Sequence, residues 1–95
     1  MTAKERERIE AIRSEATAQN PEALAVEELD SALIGYGGQY PEPPVLIYDY
    51  DKCIAEFIRR GMSCEQAIEW MDFNVSGVYL GKGTPMFIRT ETGPS

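Results

Sequence analysis

Val45-Leu46-Ile47-Tyr48-Asp49-Tyr50-Asp51-Lys52-Cys53-Ile54-Ala55-Glu56-Phe57-Ile58-Arg59-Arg60-Gly61-Met62-Ser63-Cys64-Glu65-Gln66 carries the signals of one strand followed by two helices. Its first four residues are apolar, β-branched or aromatic, and read as a strand. The periodicity then changes. Asp49 or Asp51 caps a helix in which Tyr50, Ile54, Phe57 and Ile58 share one face, with Cys53 beside them. Arg59, Arg60 and Gly61 suit a helix end: cations against the negative pole of the dipole, then a residue free to take a left-handed stop. Ser63 to Gln66 is a capping box opening a second helix, with Cys64, Ala67, Ile68, Met71 and Val75 as its inward stripe. So short a linker makes the pair an antiparallel helical hairpin.

Towards the N-terminus, Ala32-Leu33-Ile34-Gly35-Tyr36 is a brief apolar run closed by Gly37-Gly38. It reads as a second strand, paired with 45–48 across the proline-rich loop 39–44. Asn20-Pro21-Glu22 has the form of a helix start and predicts a short helix over 22–28. Lys4 to Ala16 is rich in helix formers, but its apolar stripe holds little beyond Ile9, Ile12 and Ala16. That segment is either a solvated terminal helix or an arm laid on a second copy of the chain. Towards the C-terminus, 77–88 reads as two short extended pieces around a Gly-rich turn, and Thr90 to Ser95 as a disordered tail. The expected division is a charged arm over 1–19, one domain over 20–90 and a tail over 91–95. The expected fold class is α+β: a small antiparallel sheet from 32–36, 45–48 and the 78–88 segment, packed with the 50–75 hairpin and an N-terminal helix. A mostly helical chain with one short β-hairpin is the alternative.

The 95 residues include 9 Lys and Arg, 16 Asp and Glu and no His, for a net charge of −7 and a pI of about 4.5. This length suits one domain. Without imidazole, a His general base, a Cys–His couple and His-ligated zinc are excluded. The acid excess argues against direct binding to nucleic acid or to an anionic membrane. No run approaches the ~18 apolar residues of a membrane span. Met1 to Arg13 lacks the apolar core of a secretory signal, and Cys53 and Cys64 are too few for a disulfide scaffold. A cytoplasmic protein with reduced thiols and no cofactor is expected.

The charge is unevenly placed. In residues 1–15, Lys4, Arg6, Arg8 and Arg13 balance Glu5, Glu7, Glu10 and Glu15. From Ala16 to Asp51 there are seven acids (Glu22, Glu27, Glu28, Asp30, Glu42, Asp49 and Asp51) and no base. The acidity therefore belongs to the globular part and points to a protein partner with a basic surface.

Four patterns bear on chemistry. Asp49-Tyr50-Asp51 after an apolar strand resembles the strand-then-Asp-x-Asp opening of the haloacid-dehalogenase phosphotransferases, where paired carboxylates hold Mg²⁺ and one attacks phosphorus. Lys52-Cys53 depart from that family's small and hydroxyl residues, so two acids capping a helix N-terminus is the favoured reading. Gly81-Lys82-Gly83-Thr84 is similar to a fragment of a phosphate-binding loop, but Gly83 separates Lys82 from Thr84 and Pro85 leads into an extended run, which reads as a turn between strands. Trp70 and Phe73 stand three apart on the second hairpin helix among Glu65, Glu69 and Asp72. They either pack under the strands or form an aromatic anchor inside an acidic rim, as a protein-binding hot spot does. Tyr36 and Tyr40 add amphipathic contact area near the loop. The acids on the second hairpin helix exclude base reading by a DNA-recognition helix.

The combination Ala32-Leu33-Ile34-Gly35, Ile47-Tyr48-Asp49-Tyr50-Asp51-Lys52-Cys53-Ile54, Gly61-Met62-Ser63, Glu65-Gln66-Ala67-Ile68-Glu69, Phe73-Asn74-Val75-Ser76-Gly77-Val78-Tyr79-Leu80-Gly81 and Gly83-Thr84-Pro85, within residues 30–90, resembles a group of short prokaryotic and phage proteins without assigned function. The resemblance implies no activity; small acidic proteins encoded by phages are often inhibitors of host machinery, and that role enters by analogy alone. The leading expectation is thus a small, acidic, non-enzymatic protein-binding module, in its sharpest form a phage-type inhibitor of a host nucleic-acid-binding or defence complex. Self-association as a homodimer is compatible with it. The alternatives are a small-molecule-binding protein with a Tyr-lined pocket, and a small metal-dependent phosphotransfer or hydrolytic enzyme using Asp49 and Asp51.

Overall fold

The computed structural model describes residues 2–39, 41–74 and 83–90. Their order is α1 (Ala3–Gln19), a 3₁₀ segment (Glu27–Ala32), β1 (Leu33–Gly37), β2 (Val45–Asp49), α2 (Tyr50–Arg59), α3 (Cys64–Asn74) and β3 (Met86–Ile88). Three strands and the helices packed on them make a small α+β fold. Among the described residues no helix is long and apolar enough to cross a membrane.

β2 is the centre of the sheet, with β1 and β3 on its two sides. β1 runs antiparallel to it, Tyr36 facing Leu46 and Gly37 facing Val45, with one irregularity between Leu33 and Gly35. β3 runs parallel, Tyr48 facing Phe87, so the sheet is mixed and not wholly antiparallel as expected. The reason is topological. Parallel neighbours need a crossover of a dozen or more residues, and the α2–α3 hairpin lies between β2 and β3. The Phe87 ring stacks on Tyr48, centroids 5.4 Å apart. Two hydrogen bonds tie the ends of the strand's segment: Leu24 N–H donates to the Gly83 carbonyl (2.9 Å) and the Thr90 hydroxyl to Asp49 Oδ2 (2.8 Å). Thr90 thus belongs to the fold, whereas the expected extended piece over 77–82 and the tail over 91–95 lie outside the described residues.

α1 docks on its own sheet. Thr2 caps it by accepting Glu5 N–H, Ile9 and Ala16 are buried, and Arg8 donates to the Leu33 carbonyl at 3.2 Å. Arg13 pairs with Glu27 and Asp30 at 3.5 and 3.4 Å. The expected helix over 22–28 is displaced: a 3₁₀ segment forms at 27–32, and Asn20 ends α1 without opening a new helix. Asn20 is buried, accepts Glu22 N–H and donates to the Pro44 carbonyl, so the Asn-Pro pair builds an Asx turn that ties α1 to the strand loop.

The core gathers Leu29, Leu33, Leu46, Tyr48, Tyr50, Cys53, Phe57, Ala67 and Met71 with α1's Ile9 and Ala16. Asp49 caps α2, Gly61 takes φ +111° at its far end, and the reciprocal Ser63–Gln66 capping box opens α3 (2.9 and 3.1 Å). α2 turns its expected face inward, except that Ile58 is exposed. α3 is rotated from its expected stripe: Ala67 and Met71 are buried, but Cys64 and Ile68 face outward. Trp70 takes the packing position because its ring offers more area than Ile68 and meets Phe57, centroids 4.5 Å apart at 47°.

Candidate functional site

That rotation places the apolar and acidic residues of α3's outer side. At about 100° per residue, Trp70 sits at the edge of the core-facing side, and Phe73, two residues beyond Met71, lies roughly 200° round the helix from it. Phe73 is 85 % exposed and Ile68 41 %. Met62, Gln66, Glu69, Trp70 and Phe73 line a shallow groove of about 380 Å³. A second hollow of about 400 Å³ is lined by Glu69, Asp72 and Phe73. Phe73 and Glu69 thus line both hollows, on a helix held to the core by the Trp70–Phe57 contact.

Glu65, Glu69 and Asp72 are exposed along the same side. Among the described residues none of the three joins a salt bridge. Asp72 accepts the Tyr50 hydroxyl at 3.2 Å, and the Arg89 guanidinium lies over the Tyr50 ring, 4.5 Å from its centroid. The structure thus brings Glu65, Glu69, Asp72 and Phe73 onto the outer side of α3, with Trp70 at the edge of that side where it meets the core.

The other expected site residues are placed elsewhere. Asp49 is buried, its Oδ1 accepting Lys52 N–H at 3.1 Å and its Oδ2 the Thr90 hydroxyl at 2.8 Å. Both oxygens hold the fold, while Asp51 stands exposed in the first turn of α2. Among the described residues no group of three or more Cys, Asp or Glu is placed to hold a metal ion. Tyr36 is exposed on β1, Tyr40 lies outside the described residues, and neither α3 groove is lined by a tyrosine. Tyr48 is buried with its Oη accepting Val26 N–H at 2.8 Å; burial raises its pKa, which that hydrogen bond partly offsets. Burial, aided by the charge of Asp49, pushes the Cys53 thiol up to about 12, so it stays protonated and packs as a small apolar group.

One constellation escaped sequence reasoning. Glu56, on α2, is only 6 % exposed and accepts from Ser31 Oγ (2.8 Å), Arg59 (2.5 and 3.2 Å) and Arg60 (2.6 Å). The Arg59 hydrogen bonds, with those of Arg60 and Ser31, hold its pKa at about 2 against the opposing effect of burial. It lies just beneath the surface, roofed by guanidiniums that are themselves in water. The signal was present as the (i, i+3) and (i, i+4) spacing of Glu56 to Arg59 and Arg60. This network floors a cleft of about 450 Å³ that Glu5, Glu27, Glu28 and Asp30 also line. The cleft is acidic in composition and partly neutralised: among the described residues Glu56 is paired by Arg59 and Arg60 and Glu27 and Asp30 by Arg13, while Glu5 and Glu28 join no salt bridge. Burial raises the Asp30 pKa against the pull of Arg13, and its Oδ1 has no hydrogen-bond partner among the described residues. The exposed Phe73 ring beside Glu65, Glu69 and Asp72 distinguishes the α3 face from this cleft, which is lined by polar residues alone.

No protein-family model, curated protein or solved structure matches the chain.

Proposed function

We propose that this chain is a non-enzymatic protein-binding module that engages a basic partner surface through the Phe73-centred face of α3. The observation that carries the reading is the exposure of Phe73, a large aromatic ring left in water on a helix whose other side is locked into the core. An exposed aromatic on a rigid element has little conformational entropy to lose on docking and a large apolar area to bury. Glu65 and Glu69 beside it, which join no ion pair among the described residues, supply steering and choose a partner of opposite charge. A surface that ordinarily meets phosphate has that charge, so an inhibitor occupying a nucleic-acid-binding surface is the sharpest form of this role.

A photoreactive phenylalanine analogue at position 73, expressed in the cells that produce the protein, tests the proposal, with the same probe at exposed Ala11 of α1 as control. A discrete protein adduct is expected at 73, absent at 11, and lost when Glu65 and Glu69 are both changed to Gln. The same adducts at both positions, or an adduct indifferent to those charges, would overturn it.

A further inference from the structure

We infer that the element this face receives is a basic amphipathic α-helix of the partner, laid along α3 with its apolar stripe on Phe73 and its Lys or Arg residues against Glu65 and Glu69. This rests on the reading of α3 as the docking face and adds the shape and chemistry of the occupant.

Three observations select that occupant. The first is the line of the groove. Within α3, Gln66, Trp70 and Phe73 follow one another at spacings of four and three, the rhythm with which one helix presents a seam to another, and Met62 of the linker before α3 lines the groove with them. From Gln66 to Phe73 that seam runs about 10 Å along a helix of eleven residues. The second is the state of the backbone. Within a helix the main-chain groups are paired along the element itself, so an extended peptide lying on α3 would find no ladder and leave its own N–H and C=O groups unpaired. A helical partner satisfies its backbone internally.

The third is charge. Glu65 and Glu69 are one turn apart on one flank of the Phe73 seam, and neither is in an ion pair among the described residues. They match cations spaced one turn apart on a facing helix, as flanking charges do beside a coiled-coil seam. The same charge argues against a second copy, because α3 facing α3 would set carboxylates against carboxylates in a chain of net charge −7. An anionic lipid surface is disfavoured for the same reason.

The test uses the full-length protein and three synthetic peptides of about four helical turns. One carries Leu and Lys in the helical pattern, the second has the same composition in strict alternation, and the third has the helical pattern with Glu for Lys. Trp70 is the chain's single tryptophan and lines the groove, so its emission reports docking at the site while calorimetry reports affinity. The helical Lys peptide is expected to bind, shift Trp70 emission to shorter wavelength and bind more than tenfold better than the alternating one. Phe73→Ala should weaken it at least tenfold, and Glu69→Lys should weaken it while improving binding of the Glu peptide. Because Phe73 is exposed, its truncation leaves the fold intact, which an unchanged circular-dichroism melt confirms.

Equal binding of both Lys peptides, or indifference to Phe73→Ala, would overturn the inference. So would a dimer in sedimentation that Phe73→Ala dissolves, or binding to phosphatidylserine vesicles in place of the helical peptide. If the peptides fail while the cross-link at position 73 persists, the helical occupant is wrong and the docking face stands; if both fail, the face itself is wrong.

Discussion

Replacing Glu56 by Gln should cost about 1–2 kcal/mol of stability near neutral pH and under half of that near pH 3. The carboxylate titrates at about 2 in the folded chain against an ordinary 4.5, a gap equivalent to at most about 3.4 kcal/mol. That ceiling is reduced because its partners are in water, Arg59 being 71 % and Arg60 44 % exposed, and screening by solvent leaves about 1–2 kcal/mol. Because the folded pKa is depressed, the stabilisation is fully present above about pH 4.5 and is lost as the pH falls through about 2. Gln keeps the shape of the side chain and removes the charge. Urea unfolding of wild type and Glu56→Gln, compared at equal m-values, measures the difference at each pH. A difference that is the same at about pH 7 and about pH 3, or that is absent at pH 7, would refute the assignment of the network to charge-assisted hydrogen bonding.

Other outcomes follow from the same contacts. Trp70→Ala should cost about 3 kcal/mol by removing the partner of Phe57, whereas Phe73→Ala should stay within about 0.5 kcal/mol, as paired thermal melts would show. A Cβ at position 83 would collide with the Glu22 carbonyl oxygen, so Gly83→Ala should destabilise by about 1–3 kcal/mol and raise amide exchange in β3. Asp49→Ala removes the α2 cap and the anchor for Thr90 and should cost about 1–2 kcal/mol. Because both Asp49 oxygens are engaged in those hydrogen bonds, titration of the wild type with Mg²⁺ should give no heat of binding.

How far the sequence reveals this arrangement depends on the range of each signal. The strand 45–48, the acid at its end, the Arg-Arg-Gly stop and the Ser63–Gln66 box are local, and each forms where its residues place it. Asn20-Pro21 carries an equally local signal, but Asn serves a helix cap and an Asx turn alike, and the distant Pro44 carbonyl decides between them. The direction of β3 is set by the α2–α3 crossover, which no residue in 86–88 encodes. For α3, periodicity allows two neighbouring stripes, one through Ile68 and one through Trp70. The choice is made by Phe57 on another helix, and it is this choice that leaves Phe73 outside. The acidic rim was readable because Glu65, Glu69 and Asp72 follow the helix period. Which acids remain unpaired was not, since Arg13 reaches Glu27 and Asp30 only through the docking of α1.

The central claim is that Phe73 anchors a partner with help from Glu65 and Glu69 beside it. The most direct measurement is the dissociation constant of the partner captured at position 73 for wild type and Phe73→Ala, at about 50 and about 300 mM salt. At least tenfold weakening by Phe73→Ala is expected at both salt concentrations, a loss of at least about 1.4 kcal/mol, together with weaker wild-type binding at the higher salt. A dissociation constant unchanged by Phe73→Ala would contradict it.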